Sequence, residues 1–202
     1  MDSGYTEAMA WDTARTQQLL LDAAVEEFAE HGPAGARVAR IAKRAGVNQE
    51  RIYQYFGNKE KLFDAVLASE LGKLALAVPL TATPALDLGD YAGRVFEYHR
   101  AHPHFVRLLA WEGLQCQDSV VAEGERAAHY DAKIATIAEA QRAGDVTDEI
   151  EAGRIMHAVV ALTAAWIVFP QLTRMLVPGS PERSPAEERE AVAAVIRRLA
   201  GA

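Results

Sequence analysis

The sequence predicts an all-α chain: an N-terminal three-helix unit built on a helix-turn-helix, joined by a long fourth helix to a larger helical unit. Three observations predict it. Apolar residues recur at i, i+3, i+4 spacing through most of the 202 residues, while the strict alternation that marks a strand is hard to find. Alanine is abundant and 50% of the residues are hydrophobic, enough for a real core. Between residues 38 and 56, two short helical segments flank a tight turn at Ala45-Gly46-Val47.

The first twelve residues carry neither a basic leader nor a long apolar run and read as a loose arm. A first helix over about 13–30 has Leu20, Ala24 and Phe28 stepping by four, with Leu21 and Val25 beside them. His31-Gly32-Pro33 ends it, with Gly32 just past the helix. The second helix covers about 37–44. The third covers about 49–55, with Asn48 as its N-cap. Two helices crossing this closely need a small residue at the contact, Ala42, and a turn residue that accepts positive φ, Gly46. They also need an apolar joint, which Ile41, Ala45, Val47, Ile52 and the ring of Tyr55 supply. Gly57-Asn58 breaks the chain, and a fourth helix starts at Lys59 with Asn58 as its cap. Leu62, Phe63, Val66, Leu67, Leu71 and Leu74 keep helical spacing along it.

After a loop over 79–90, helices are expected over about 90–101, 103–121, 125–143 and 148–176, with Gly144-Asp145 between the last two. A Pro/Ser/Gly-rich linker over 178–185 leads to Ser184-Pro185-Ala186-Glu187, a capping box with proline at the first helical position. Val192, Val195, Ile196 and Leu199 form the apolar stripe of the final helix.

A net charge of −7 argues against a nucleic-acid binder, but its distribution reverses that argument. Residues 37–61 hold seven basic and two acidic side chains, net +5, which leaves −12 for the rest. A basic cluster on an acidic body suits a small DNA-reading module attached to another unit. On the third helix the residues left for the surface are Asn48, Gln49, Glu50, Arg51, Tyr53 and Gln54, a hydrogen-bonding row suited to the major groove. Arg51 can pair bidentately with a guanine edge and Gln49 or Gln54 with adenine. Tyr53 offers a ring for a thymine methyl and a hydroxyl for phosphate.

The stretches Leu20-Leu21-Asp22-Ala23-Ala24, Phe28-Ala29-Glu30-His31-Gly32, Ala45-Gly46-Val47 and Ile52-Tyr53-Gln54-Tyr55-Phe56-Gly57-Asn58-Lys59-Glu60-Lys61-Leu62 together resemble the DNA-binding domain of TetR-family transcriptional regulators. The resemblance covers about 13–72. It implies a DNA-binding domain over 13–58, with its motif at about 36–55, and an effector-binding and dimerisation domain over 59–202. It implies a homodimeric repressor on a palindromic operator, released when a small molecule moves the fourth helix. It makes Gln49, Glu50, Arg51, Tyr53 and Gln54 the groove-facing set and places Tyr55 and Lys59 at positions that touch phosphate. The chain departs from the family at the start of the second helix, where Thr or Ser is usual. Here Ala36-Arg37 stand, with Gly35 the only weak cap nearby, and Arg37 is the candidate to replace the phosphate contact. Glu50 has two readings: it accepts from a cytosine amine, or it pairs with Arg51 or a neighbour and reads nothing.

Tyr98, Phe105, Trp111, Tyr130, Met156, His157 and Trp166 exceed what packing of Ala and Leu requires. They are the candidate lining of a site for a small, largely apolar or aromatic effector. Ile155, Val159, Leu162 and Trp166, with Val192, Val195, Ile196 and Leu199, are the candidate dimer interface, a four-helix bundle about a two-fold axis. Such a dimer demands a palindromic operator. The uncharged stretch 155–173 approaches a membrane-spanning length, but it contains His157, Thr163, Pro170, Gln171 and Thr173 and reads as a core or interface helix. His99, His102 and His104 read as a helix corner rather than a metal site. Cys116, the single cysteine, reads as a core residue and fits a reducing cytoplasm. No catalytic constellation, phosphate loop or cofactor motif occurs, so an enzyme is not expected. The competing reading is a helical ligand-binding or adaptor protein with a weak or vestigial DNA module, for which Ala36 and Glu50 leave room.

Overall fold

The computed structural model describes residues 3–81, 86–115, 120–179 and 183–201. Among them are ten helices and no strand: α1 (Ser3–Gly35), α2 (Val38–Ala45), α3 (Gln49–Phe56), α4 (Lys59–Ala77), α5 (Leu88–Ala101), α6 (Pro103–Gln115), α7 (Glu123–Ala143), α8 (Ala152–Val168), α9 (Pro170–Leu176) and α10 (Pro185–Ala200). The chain divides into two compact units, Met1–Leu71 with Arg107–Val121, and Gly72–Val106 with Ala122–Ala202. The sequence-based boundary at residue 58 falls inside the first unit. Cys116 lies outside the described residues.

In the first unit, α1 begins at Ser3, so the backbone of residues 3–12 is helical where a loose arm was expected. Glu7, Ala8, Met9 and Ala10 are good helix formers, and the segment contains no proline to stop propagation from the helix behind it. The regular helix breaks at Gly32, whose φ of 66° and ψ of 169° are non-helical. A side chain there would meet the Trp111 indole, since a Cβ would stand 2.8 Å from the ring. The core is built by Leu20, Ala24 and Phe28 of α1 with Ile41 and Ala42 of α2, Ile52 of α3 and Leu62, Phe63, Val66 and Leu67 of α4. Phe28 and Phe63 meet edge-to-face at 5.3 Å, a favoured aromatic geometry.

In the second unit, α5 lies against α10 and α8, and α7 lies against α8. Two glycines one turn apart on α5 permit the close approach of α10. A Cβ on Gly89 would come within 2.6 Å of the Ala193 carbonyl, and one on Gly93 within 2.9 Å of the Arg189 guanidinium. Ion pairs fix the register: Arg189 with Asp90 at 2.6 Å and Arg197 with Asp87 at 3.1 Å. Asp87 also accepts the Asp90 N–H at the start of α5. Burial would raise its carboxyl pKa, but Arg197 and the backbone donors hold it below the usual range.

Two expectations change here. The helix expected over 148–176 is two helices, α8 and α9, bent by 97° at Phe169. Pro170 cannot donate to the ladder, clashes with the turn before it and disfavours helical φ/ψ in its predecessor. Phe169 accordingly sits at φ −125°, ψ 53°. Among the described residues no single helix is long and apolar enough to cross a membrane. The candidate interface stripe also divides. Ile155, Val159, Val192 and Ile196 are at most 1% exposed inside this subunit, so they form its own core and offer no face to a partner. Val195 is 54% exposed, and Leu162, Trp166 and Leu199 are half-buried. A 3.6-residue stripe marks the face that is buried; it does not say by which chain.

Candidate nucleic-acid interface

The reading helix is set by its ends. Gly46 takes the left-handed conformation, φ 66° and ψ 28°, so the chain reverses between α2 and α3 at a residue that carries no Cβ penalty. Asn48 caps α3, its side-chain oxygen accepting the Glu50 N–H at 3.1 Å. Asn58 caps α4 in the same way, accepting the Lys61 N–H at 2.8 Å. Ile52 is fully buried, and Ala45, Val47 and Tyr55 pack beside it. That orientation leaves Gln49, Glu50, Arg51, Tyr53 and Gln54 exposed.

Arg51 is held rather than loose. Its Nη1 donates to Gln54 Oε1 at 3.0 Å and to the Tyr55 hydroxyl at 3.4 Å, and its guanidinium lies 5.9 Å from the Tyr55 ring centroid. Nε and Nη2 take no part in these two bonds. Holding the fork in place reduces the rotamer entropy lost on binding. Glu50 makes no ion pair with Arg51. Its carboxylate lies 3.5 Å from Asn48 Nδ2, and it sits in the first turn of α3, where the helix dipole favours an acid.

The start of α2 has no side-chain cap of its own. Glu27, 2% exposed on α1, anchors this end from outside the helix. Its carboxylate accepts the Arg37 N–H at 2.8 Å and Arg40 Nε at 2.7 Å. Burial alone would raise the Glu27 pKa, but these donors outweigh it and hold the carboxyl below its usual range. Arg40 also donates to the Gly35 carbonyl, and Arg44 pairs with Glu26 at 2.6 Å. Two of the seven basic residues counted from sequence are thus balanced by α1. The Arg37 side chain is exposed. Lys59 is half-buried, its ammonium donating to the carbonyls of Ala34 at 3.4 Å and Ala36 at 3.3 Å, which ties the start of α4 to the α1–α2 junction. Sequence reading missed Glu27; its only trace is an acid beside the apolar positions Ala23, Ala24 and Phe28.

Six of the seven candidate effector residues lie in the second unit and Trp111 lies in the first. Trp111 belongs to the first unit, packed on Gly32, with its indole N–H 3.4 Å from the Ala29 carbonyl. His157 is exposed on α8. In the second unit Phe105 and Met156 are buried, Tyr98 stacks on His102 at 4.1 Å and meets Phe105 edge-on, Trp166 meets Phe96 edge-on at 5.6 Å, and Tyr130 is half-buried. A polar pair that sequence did not single out lies nearby: Lys133, 7% exposed, donates to the Tyr91 hydroxyl at 2.8 Å. Burial lowers the pKa of the first, and burial pushes the second up to about 12. Among the described residues no group of three His, Cys, Asp or Glu side chains could hold a metal ion.

Comparison with known proteins adds independent observations. Residues 20–66 match the profile described as bacterial regulatory proteins, tetR family. Residues 87–198 match tetracyclin repressor-like, C-terminal domain. The chain is 40% identical over 171 residues to the HTH-type transcriptional repressor SCO4008 of Streptomyces coelicolor, spanning 84% of this chain and 88% of that one. It is 35% identical over 119 residues to the HTH-type transcriptional repressor NicS of Pseudomonas putida, 56% of each chain. Among solved structures, SCO4942 from Streptomyces coelicolor superposes with a TM-score of 0.79 at 32% identity, covering 91% of this chain and 97% of that one.

Proposed function

Because the chain belongs to the TetR family of bacterial transcriptional regulators, we propose that it represses transcription in the cytoplasm as a homodimer on a palindromic operator and releases that operator when a small effector binds its second unit. The observation that carries the DNA-binding part is the exposed row on α3, fixed by Asn48 and Ile52, with Arg51 held by Gln54 and Tyr55. Arg51 reads a guanine edge, Gln49 and Gln54 read adenine, and Tyr53 meets a thymine methyl. Arg37, Tyr55 and the third donor of Lys59 contact phosphate and set the register. Glu50, exposed in the first turn of α3, accepts from a cytosine amine.

The dimer surface is the apolar face that α8, α9 and α10 leave uncovered: Val168, Phe169, Leu172 and Leu176 with Val195, flanked by the half-buried Leu162, Trp166 and Leu199. Exposed apolar groups grouped in this way mark an association site. The release step runs through α4. Effector binding shifts α4, and Lys59 pulls on the Ala34 and Ala36 carbonyls beside the start of α2.

A gel shift on the region upstream of the chain's own gene tests this reading, since operator binding should exceed non-specific binding by roughly 10³-fold or more. Arg51→Ala is expected to relax preference at one base pair of each half-site, costing roughly 1–3 kcal/mol. Equal affinity for operator and random DNA would refute the proposal.

A further inference from the structure

Among the described residues, four buried side-chain atoms have no hydrogen-bond partner: His99 Nδ1, Trp166 Nε1 and both carboxylate oxygens of Glu188. All belong to the second unit, and all come from the layer where α5 meets α8 and α10. The register of the helices brings them to adjoining turns. Gly93 of α5 faces Arg189 of α10, and Arg189 Nε lies 3.3 Å from Glu97 Oε1, so Glu188 stands at the level of residues 93–97. The Trp166 ring packs on Phe96 at that level. His99 stands one turn further along α5, and the Thr163 backbone, one turn before Trp166 on α8, is the neighbour that partly offsets the burial of its imidazole.

The chemistry of this cluster is asymmetric. Glu188 is 2% exposed, and a buried carboxylate without a donor is among the least favourable groups a fold can carry. The cations of this unit have partners other than Glu188, and Arg100 lies over the Phe96 ring at 5.8 Å. Arg189 pairs with Asp90 and Glu97, Arg197 with Asp87 and Glu190, and Lys133 with the Tyr91 hydroxyl. Burial holds His99 neutral, with its pKa lowered to about 4. The cluster therefore offers a carboxylate, an unpartnered imidazole nitrogen and one indole donor, at the level where Trp166 packs edge-to-face on Phe96. Unpaired buried polar groups of this kind call for an explanation in a missing partner.

The geometry points to a recognition site for a cationic nitrogen compound, an amine or amidine with at least two N–H donors on an aromatic body, its charge against Glu188. This rests on the reading of the second unit as the effector domain and narrows the largely apolar effector expected from sequence to one with a positive head. An anionic effector would face Glu188 directly and is disfavoured.

The full-length protein is tested with three probes of one shape: 4-phenylbenzamidine, 4-phenylbenzamide and 4-phenylbenzoate. Calorimetry is expected to show the amidine binding about thirtyfold or more tightly than the amide, with no binding of the acid. Glu188→Gln should bring the amidine and amide within about threefold of each other. Glu188→Met should leave the thermal midpoint of the ligand-free protein unchanged or raised, as expected when a buried unpaired acid is replaced by an apolar group. A marked fall in that midpoint, an amidine preference that survives Glu188→Gln, or failure of all three probes to bind overturns the inference. Release of operator by the amide or acid, but not the amidine, overturns the cationic assignment and leaves the effector-responsive reading intact. Failure of the ligand-free protein to bind operator in the gel shift counts against the regulator reading, independently of Glu188.

Discussion

The carboxylate of Glu27 holds the start of α2 through the N-cap residue's own N–H, where a Ser or Thr cap would instead serve the N–H groups one turn in. It is buried, accepts a backbone N–H from Arg37 and pairs with Arg40, so it is needed ionised. Its folded pKa lies below the ordinary 4.5. A depressed acid contributes stability that is fully present above its unfolded pKa and is lost as pH falls through the folded value. Glu27→Gln is therefore expected to lower stability by roughly 1–3 kcal/mol at neutral pH, the range for a lost charge-assisted hydrogen bond. It should also flatten the loss of stability below about pH 4.5. Urea titrations of both proteins across that range measure it; parallel pH curves would remove Glu27 from the account.

At the scale of helices, adjacent residues on α10 make opposite predictions. Ile196 is 1% exposed and Val195 is 54% exposed. Ile196→Glu buries an uncompensated charge and should destabilise the protomer by roughly 3–5 kcal/mol. Val195→Glu should leave protomer stability within about 0.5 kcal/mol while shifting the protein toward monomer and weakening operator binding. Light scattering with circular dichroism separates the two outcomes, and a fully dimeric Val195→Glu protein would exclude α10 from the interface. The ends of helices were the legible part of this fold. Asn48, Asn58, Gly46 and the Ser184–Glu187 capping box are local chemistry, and each stands where the sequence placed it. The break at Phe169 was equally local, since Pro170 announced it, but the apolar continuity of 155–173 masked that signal. The owner of an apolar stripe was not legible. Val192 and Ile196 show the same spacing whether α5 or a second subunit covers them.

Across the whole chain, charge is sorted by tertiary contact rather than by sequence window. The +5 of residues 37–61 is reduced where Glu26 and Glu27 reach over from α1, a pairing between residues up to 18 positions apart that no local pattern reveals. Operator affinity should fall steeply with salt, by about 0.9 in log–log slope per phosphate contacted. Lys59→Ala is expected to weaken all sequences alike and reduce that slope by about 1. Arg44→Ala, whose charge already sits on Glu26, should leave it nearly unchanged. Equal slope changes for the two would mean that the α1 acids do not shield α2. The same long-range logic explains why the effector residues were the least legible. Trp111 and Trp166 look alike in sequence, yet one packs on Gly32 in the first unit and the other on Phe96 in the second.

The tether from Glu27 to α2 also bears on how this part of the protein folds and how far it can be transplanted. A reading motif cut out as residues 37–56, or grafted onto another scaffold, would leave the acceptor of the Arg37 N–H behind. The smallest cooperative unit therefore includes α1. In native-state amide exchange, opening of α2 should track opening of α1, so fraying of the N-terminal helix and loss of the groove-reading geometry become one event rather than two.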